Sequence, residues 1–290
     1  MMGVKSAGFA RRSDESEHHV DKAIKKRRCR RRVTIQLKRP ENVPLVSNTL
    51  QQLFESCSRA FKGPGTVPSA SDVQNLCRIL DGMKPEDVGL SKDLHFFKPK
   101  TEIDRAPRVT SATIYKCDKF ELCIFFLPET AVIPLHNHPE MTVFNKLLLG
   151  SMHIKAYDWV DPLSSDCSIS PTKFLDVDGS SVRLAKLKAN TTFTAPCDSS
   201  VLYPTSGGNI HEFTAITPCA VLDVIGPPYS KDDGRDCTHY QEVHALLESE
   251  EIRKVREGGY GWLKETEIPE ESEMDGIKYM GPQINNPYSS

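Results

Sequence analysis

From residue 108 to residue 228 the chain is a series of short apolar runs, broken every few residues by turn formers. That rhythm restricts the region to a β barrel or sandwich. Runs at 111–117, 120–127, 141–148, 151–159, 182–188, 192–194, 200–203, 211–217 and 219–225 read as strands. Cys117-Asp118-Lys119, Pro128-Glu129, Asp176 to Ser181, Pro196-Cys197-Asp198 and Gly207-Gly208 punctuate them. Alternation at Phe120, Leu122, Ile124 and Phe126, and again at Met152, Ile154 and Ala156, gives strands with one apolar face. Segment 160–181 is polar and strand-poor, which predicts a surface excursion.

Helical periodicity flanks this region. Leu50, Leu53, Phe54, Cys57 and Phe61 predict an amphipathic helix over 47–62, capped by Ser47 or Asn48 and ended by Gly63-Pro64-Gly65. Val73, Leu76, Cys77 and Leu80 predict a second over 71–81. Both are expected to pack on the outside of the strands, and 238–257 returns to a helical period. The fold class is therefore mainly β, with flanking N-terminal and C-terminal helices.

No apolar run approaches the ~20 residues of a membrane span. The start, Met1-Met2-Gly3, reads neither as a secretory leader nor as a myristoylation signal. Nine cysteines, an odd number with no CxxC pair, argue against a disulfide framework and a zinc finger and for reduced thiols.

The formal net charge of −2 hides an asymmetry. Residues 22–39 carry ten Lys/Arg and no Asp/Glu, which leaves 27 basic and 39 acidic residues elsewhere, a net of −12. The cluster Lys25-Lys26-Arg27-Arg28-Cys29-Arg30-Arg31-Arg32 lies in a charged stretch without periodicity. It reads as a nuclear-import signal ahead of a solvated tail. Sequence-specific nucleic-acid binding is not expected, because no helix-turn-helix, zipper or finger accompanies it. The chain divides into a disordered basic extension (1–44), a folded domain (45–264) and a C-terminal tail (265–290). The acidic stretch 265–275 of that tail is expected to be solvated, and the Tyr, Gly and Pro residues near the end to form either an ordered strap or a loose terminus.

Chemistry concentrates in three histidines. His136 and His138 stand two residues apart in Pro134-Leu135-His136-Asn137-His138-Pro139-Glu140-Met141, so in an extended strand both imidazoles project from one face. His211 follows the turn Pro204-Thr205-Ser206-Gly207-Gly208-Asn209-Ile210. Three neutral nitrogen ligands leave coordination positions open, as a catalytic metal needs. The remaining histidines, His18, His19, His95, His153, His239 and His244, read as ordinary surface or core residues. Iron with a thiolate and O2, and zinc with an activated water, both suit a three-His set.

His-x-His with Gly150 about a dozen residues on, and Pro204 to His211, resemble the two motifs of the cupin superfamily, a double-stranded β-helix or jelly-roll barrel. Most cupins add a Glu ligand four or five residues after the second His. Here Thr142 and Val143 stand there, and Glu140 is too near His138 to take the role. Three-His cupin iron sites are the pattern of thiol dioxygenases. Ile133 to Trp159, with HNHPEM, and Val221 to Tyr229, with DVIGPPY, are similar to the plant cysteine oxidases, relatives of the cysteamine dioxygenases, over residues 45–262.

The resemblance implies Fe(2+) held by His136, His138 and His211, with O2 and the N-terminal Cys of a protein as substrates. The product would be the sulfinic acid, which marks ethylene-response-type transcription factors for N-degron degradation in oxygen sensing. It places Asp223 and Tyr229 near the substrate: an Asp orienting the α-ammonium, a Tyr hydroxyl donating to bound oxygen. The alternatives for these two are an inter-strand partner for Asp223 and aromatic packing for Tyr229. A monomer in nucleus and cytoplasm is expected. The rival functions are a small-thiol (cysteamine or cysteine) dioxygenase, a non-enzymatic nuclear metal-binding cupin, and a zinc hydrolase.

Overall fold

The computed structural model describes residues 48–91, 108–161, 173–175, 179–243 and 257–286. Residues 1–44, with the basic cluster, lie outside the described residues, as does most of the excursion expected over 160–181. Helix α1 (Asn48–Ala60) and helix α2 (Ala70–Asp81) precede the strands. Ser69 caps α2, accepting from the Asp72 amide at 3.2 Å.

Among the described residues, thirteen strands follow in two sheets. They are β1 (Thr110–Lys116), β2 (Glu121–Leu127), β3 (Val132–Asn137), β4 (Thr142–Leu149), β5 (Ser151–Trp159), β6 (Lys173–Leu175) and β7 (Ser181–Thr194), then β8 (Ser200–Leu202), β9 (Ile210–Ala215), β10 (Cys219–Gly226), β11 (His239–Glu242), β12 (Tyr260–Thr266) and β13 (Asp275–Lys278). One sheet runs β13-β1-β2-β10-β4-β8, the other β12-β11-β3-β9-β5-β7-β6. From β2 to β5 and from β7 to β11 consecutive strands alternate between the sheets, the double-stranded arrangement of a cupin.

Burial follows the pleat. Leu122, Ile124, Phe126, Phe144, Leu148, Leu222 and Val224 project from the outer face of the first sheet. They pack against Leu50, Leu53, Phe54, Phe61, Leu76 and Leu80 of the helical segment. Alternate residues face inward, where Leu127, Leu147 and Val221 meet Ile133, Met152 and Phe213 of the second sheet. The β4–β5 turn closes on Gly150 at φ +88°, where a Cβ would stand 2.3 Å from the Pro218 carbonyl oxygen.

Several elements differ from the sequence-based expectation. Runs 182–188 and 192–194 are one strand, β7, whose polar tip Lys188–Thr191 conceals its continuity. The run 132–137 is a strand despite Pro134. The helix expected over 238–257 begins instead as strand β11, and residues 244–256 lie outside the described residues.

The segment after 264 joins the fold. Strand β13 pairs in parallel with β1, Tyr279 Oη donates to the Val88 carbonyl at 3.2 Å, and the Asn285 amide donates to Gln51 Oε1 at 2.9 Å. The acidic side chains Glu265, Glu267, Glu270, Glu271, Glu273 and Asp275 are nevertheless exposed. Backbone pairing and solvated charge coexist because the strap lies on an outer edge. Among the described residues no helix is long and apolar enough to cross a membrane.

Candidate metal centre

Two facing rows of side chains line the barrel interior. On the second sheet His239, His136, His211 and Ala156 are successive cross-strand partners on β11, β3, β9 and β5. On the first sheet Cys123, Asp223 and Asn145 are partners on β2, β10 and β4.

His136 faces inward because β3 carries a bulge. Ile133 pairs with Phe213 and His136 with His211, so three steps on β3 match two on β9. The extra residue reverses the parity of the strand, and Ile133 and His136 come to share the inner face. Pro134 fits the bulge because it has no N–H to leave unpaired. Its carbonyl accepts from His136 Nδ1 at 2.7 Å.

His138 lies one residue beyond β3, so strand parity does not position it. Asn209 does. The Asn209 side chain accepts from the His138 amide at 3.1 Å, donates to the His138 carbonyl at 2.9 Å and donates to the Tyr203 carbonyl at 2.8 Å. Asn209 is fixed in turn by Asp158 on β5. That carboxylate accepts from the amides of Gly207, Gly208 and Asn209 at 3.0, 2.9 and 3.0 Å, an anion in a backbone nest. Both glycines have φ of +85°, and a Cβ on Gly208 would stand 2.8 Å from that of Ala156. Asp158 and Asn209 escape a reading of the sequence, because neither is a ligand and their partners are backbone atoms distant in the chain.

The three imidazoles converge. Their ring centroids are 4.8–4.9 Å apart, and His138 Nε2 lies 3.2 Å from His211 Nε2. The Nδ1 atoms of His136 and His138 are engaged away from the cluster, and the His211 ring bonds the Gly208 backbone. His136 donates to Pro134, and His138 Nδ1 stands 2.8 Å from Tyr229 Oη, which itself donates to the Asn137 carbonyl at 2.9 Å. For His136 and His138 these outer bonds favour the tautomer that leaves Nε2 as an acceptor.

Burial also holds the rings neutral: it lowers His136 to about 4 and His138 and His211 well below the usual histidine range, with neighbouring imidazoles adding to the effect. Two nitrogens each ~2.1 Å from one ion, and roughly at right angles to each other, stand about 3 Å apart. The His138–His211 spacing therefore fits a shared metal ion, and among the described residues these three form the candidate group for one.

The neighbouring side chains are equally defined. Val143 packs inward with Cys123, Met141, Leu202 and Ile225, so an apolar side chain stands where most cupins place a carboxylate. Glu140 is an exposed turn residue at φ +58°. Asp223 is buried on the inner face, its Oδ1 accepting from Asn145 Nδ2 at 2.8 Å. Burial raises its carboxyl to about 7, against the Asn145 bond, which lowers it. Tyr229 supports His138 from behind: its hydroxyl proton is taken by Asn137, so the residue acts here through the ligand rather than as a free donor to oxygen. Among the ordinary histidines of the sequence reading, His239 comes out differently, within the inner row beside His136.

Asn209→Ala leaves the His138 amide unpaired and leaves its carbonyl with the Met141 amide alone. It is expected to weaken metal retention about 10- to 100-fold in chelator competition, with little change in far-UV circular dichroism. Asp223 supplies a pH test. Its folded pKa is raised, so its share of stability is present below the unfolded value of about 4 and is lost as pH rises through about 7. The buried histidines, lowered in pKa, act in the opposite sense, so the variant difference is the readout. In metal-free protein, Asp223→Asn is expected to gain stability over the parent by a few kcal/mol at pH 8 and little at pH 4, measured by denaturant unfolding.

A family model described as PCO_ADO matches residues 79–284. Plant cysteine oxidase 2 of Arabidopsis thaliana is 48% identical over 245 residues, covering 81% of this chain and 83% of that protein. Plant cysteine oxidase 1 of the same plant is 45% identical, covering 82% and 80%. The 2-aminoethanethiol dioxygenase of Mus musculus is 27% identical, covering 82% and 97%. A solved double-stranded beta-helix domain from Klebsiella pneumoniae aligns at 12% identity over 51% of this chain and 92% of that one, with a TM-score of 0.29. The chain belongs to the PCO_ADO family, and it is an oxidoreductase of the dioxygenase type.

Proposed function

We propose that this enzyme is an Fe(II)-dependent thiol dioxygenase that converts the N-terminal Cys of protein substrates to cysteine sulfinic acid. The observation that carries the reading is the ligand set: three neutral, buried imidazoles, with no carboxylate in the group among the described residues. Such a set leaves the ion's charge uncompensated and favours an anionic thiolate as a further ligand.

When bound, Fe(II) supplies a site where a thiolate and O2 meet and where electrons pass from sulfur to oxygen. The chain's own residues do the rest. His136, His138 and His211 present Nε2, and Pro134, Tyr229 and the Gly208 carbonyl hold the three rings in orientation. Asp223, on the facing sheet, receives the α-ammonium of the substrate; ion pairing with that group draws its raised carboxyl back to the ionised form. The apolar walls around Val143 and Phe213 exclude water from the reacting sulfur. Sulfur supplies all the electrons that O2 accepts, both oxygens end on sulfur, and no external reductant is needed.

A peptide substrate is favoured over free cysteine. A free carboxylate calls for an unpaired guanidinium, and the buried Arg235 is already committed to Asp233 at 2.8 Å and to the Pro228 carbonyl. The names of the Arabidopsis relatives, at 45–48% identity, support cysteine as the oxidised residue. We assign ethylene-response-type transcription factors as the proteins oxidised, with degradation through the N-degron pathway as the consequence and oxygen sensing as the role. The basic cluster within residues 22–39 supports action in the nucleus as well as the cytoplasm.

Protein loaded with Fe(II) without air, then exposed to air with a Cys-initiated peptide, is expected to add two oxygen atoms to that Cys by mass spectrometry. The gain should vanish with an acetylated N-terminus and with His211→Ala. Oxidation of small thiols alone would move the assignment to a small-thiol enzyme. Bound zinc with hydrolysis, or no reaction of any thiol, would contradict the reading. Residues 1–44 fused to a fluorescent protein are expected to carry it into the nucleus, and neutralising Arg27, Arg28, Arg30, Arg31 and Arg32 to abolish that.

A further inference from the structure

Three histidines complete the ligand set, and a fourth stands beside them without an assigned task. β11 meets β3 at the pair His239–His136, so His239 continues the inward row of the ligands. Its ring centroid is 6.2 Å from that of His136, the planes inclined at 38°. The residue is 9% exposed, and its buried Nδ1 has no hydrogen-bond partner among the described residues. The backbone beside it is fixed: the Asn137 amide donates to the Thr238 carbonyl at 3.1 Å and the Thr238 amide to Asn137 Oδ1 at 2.9 Å. A buried polar nitrogen left unpaired is costly and rare in a native protein, so one without a partner among the described residues, beside a binding site, calls for an acceptor that those residues do not supply.

We propose that His239 Nδ1 donates to the carbonyl oxygen of the first peptide unit of a Cys-initiated substrate, and that this contact makes the site prefer a peptide to a small aminothiol. The assignment rests on the thiol-dioxygenase reading above. A sulfur atom held among His136, His138 and His211 carries its own first carbonyl four bonds away, within the span of one imidazole beside the cluster. The amine has an acceptor in Asp223 on the facing sheet, so the polar group still lacking a partner is the carbonyl. A neutral imidazole has one N–H, which can donate to a carbonyl. Cysteamine has no carbonyl and gains nothing from this nitrogen.

The test compares kcat/KM for a Cys-initiated peptide with that for cysteamine in iron-loaded His239→Phe, His239→Asn and His239→Gln. Calorimetric binding of the peptide without O2 gives a second readout. The peptide-to-cysteamine ratio is expected to fall about tenfold in the Phe variant, with a matching rise in peptide Kd. Asn places its amide near the Nδ1 position and should recover most of the ratio. Gln places its amide near Nε2 and should not. If the Phe variant fails to fold, the Asn–Gln difference carries the test by itself. An unchanged ratio, or equal recovery by Asn and Gln, overturns the assignment while leaving the thiol reading standing. A parent enzyme that oxidises neither thiol overturns both.

Discussion

One side-chain amide holds the candidate centre together. The ligands come from three backbone settings: a bulged strand, the turn after it and the start of a distant strand. No ladder hydrogen bond links the second to the third. Asn209 makes that link, with both halves of its amide on the His138 backbone and one residue, Ile210, separating it from His211. Its own position is set by the Asp158 carboxylate, which gathers three consecutive amides from the Gly207-Gly208-Asn209 turn. Charge-assisted bonds to backbone are stronger than neutral ones, and here they replace the regular pairing that the turn lacks. The distance between His138 and His211 thus depends on residues that never meet the metal.

The interior sorts its ionisable groups by the same physics that buries them. Desolvation keeps the imidazoles neutral and aims their free nitrogens inward, and it raises Asp223 on the opposite wall. Both effects suit the zwitterionic thiol of the proposed function. On that proposal the neutral ligands would leave positive charge at the metal for sulfur, and the Asp223 carboxylate would gain its counter-charge when an ammonium arrives. Val143, inward-facing and apolar, keeps a further negative ligand out of the sphere.

The alternation of apolar residues made most strands legible in the sequence, and β5 matches its expected limits, because half-buried strands write their pleat into composition. Helices α1 and α2 were legible from their apolar stripes for the same reason, although Ser69, the cap of α2, was not. The ligand histidines stood out through their spacing, although the reason first given for it, a shared strand face, applies to His136 and not to His138. What stayed hidden depends on partners far away in the chain. The β3 bulge appears only in the register with β9. Asp158 and Asn209 act on backbone atoms. His239 was masked because 238–257 shows a helical period, while pairing with β3 and β12 turns its first residues into a strand. The acidic strap, polar enough to read as solvated, keeps its charges in water and still pairs its backbone with β1.

The central claim, that a three-histidine centre transfers both atoms of one O2 to a terminal Cys, is tested most directly by a single turnover under isotopically labelled O2. Iron-loaded protein and a Cys-initiated peptide would be mixed without air, exposed to the labelled gas, and the peptide analysed by mass spectrometry. The account predicts that both oxygens of the product sulfinate carry the label. One labelled oxygen with the other drawn from water, or a peptide left unoxidised by iron-replete protein, would contradict it.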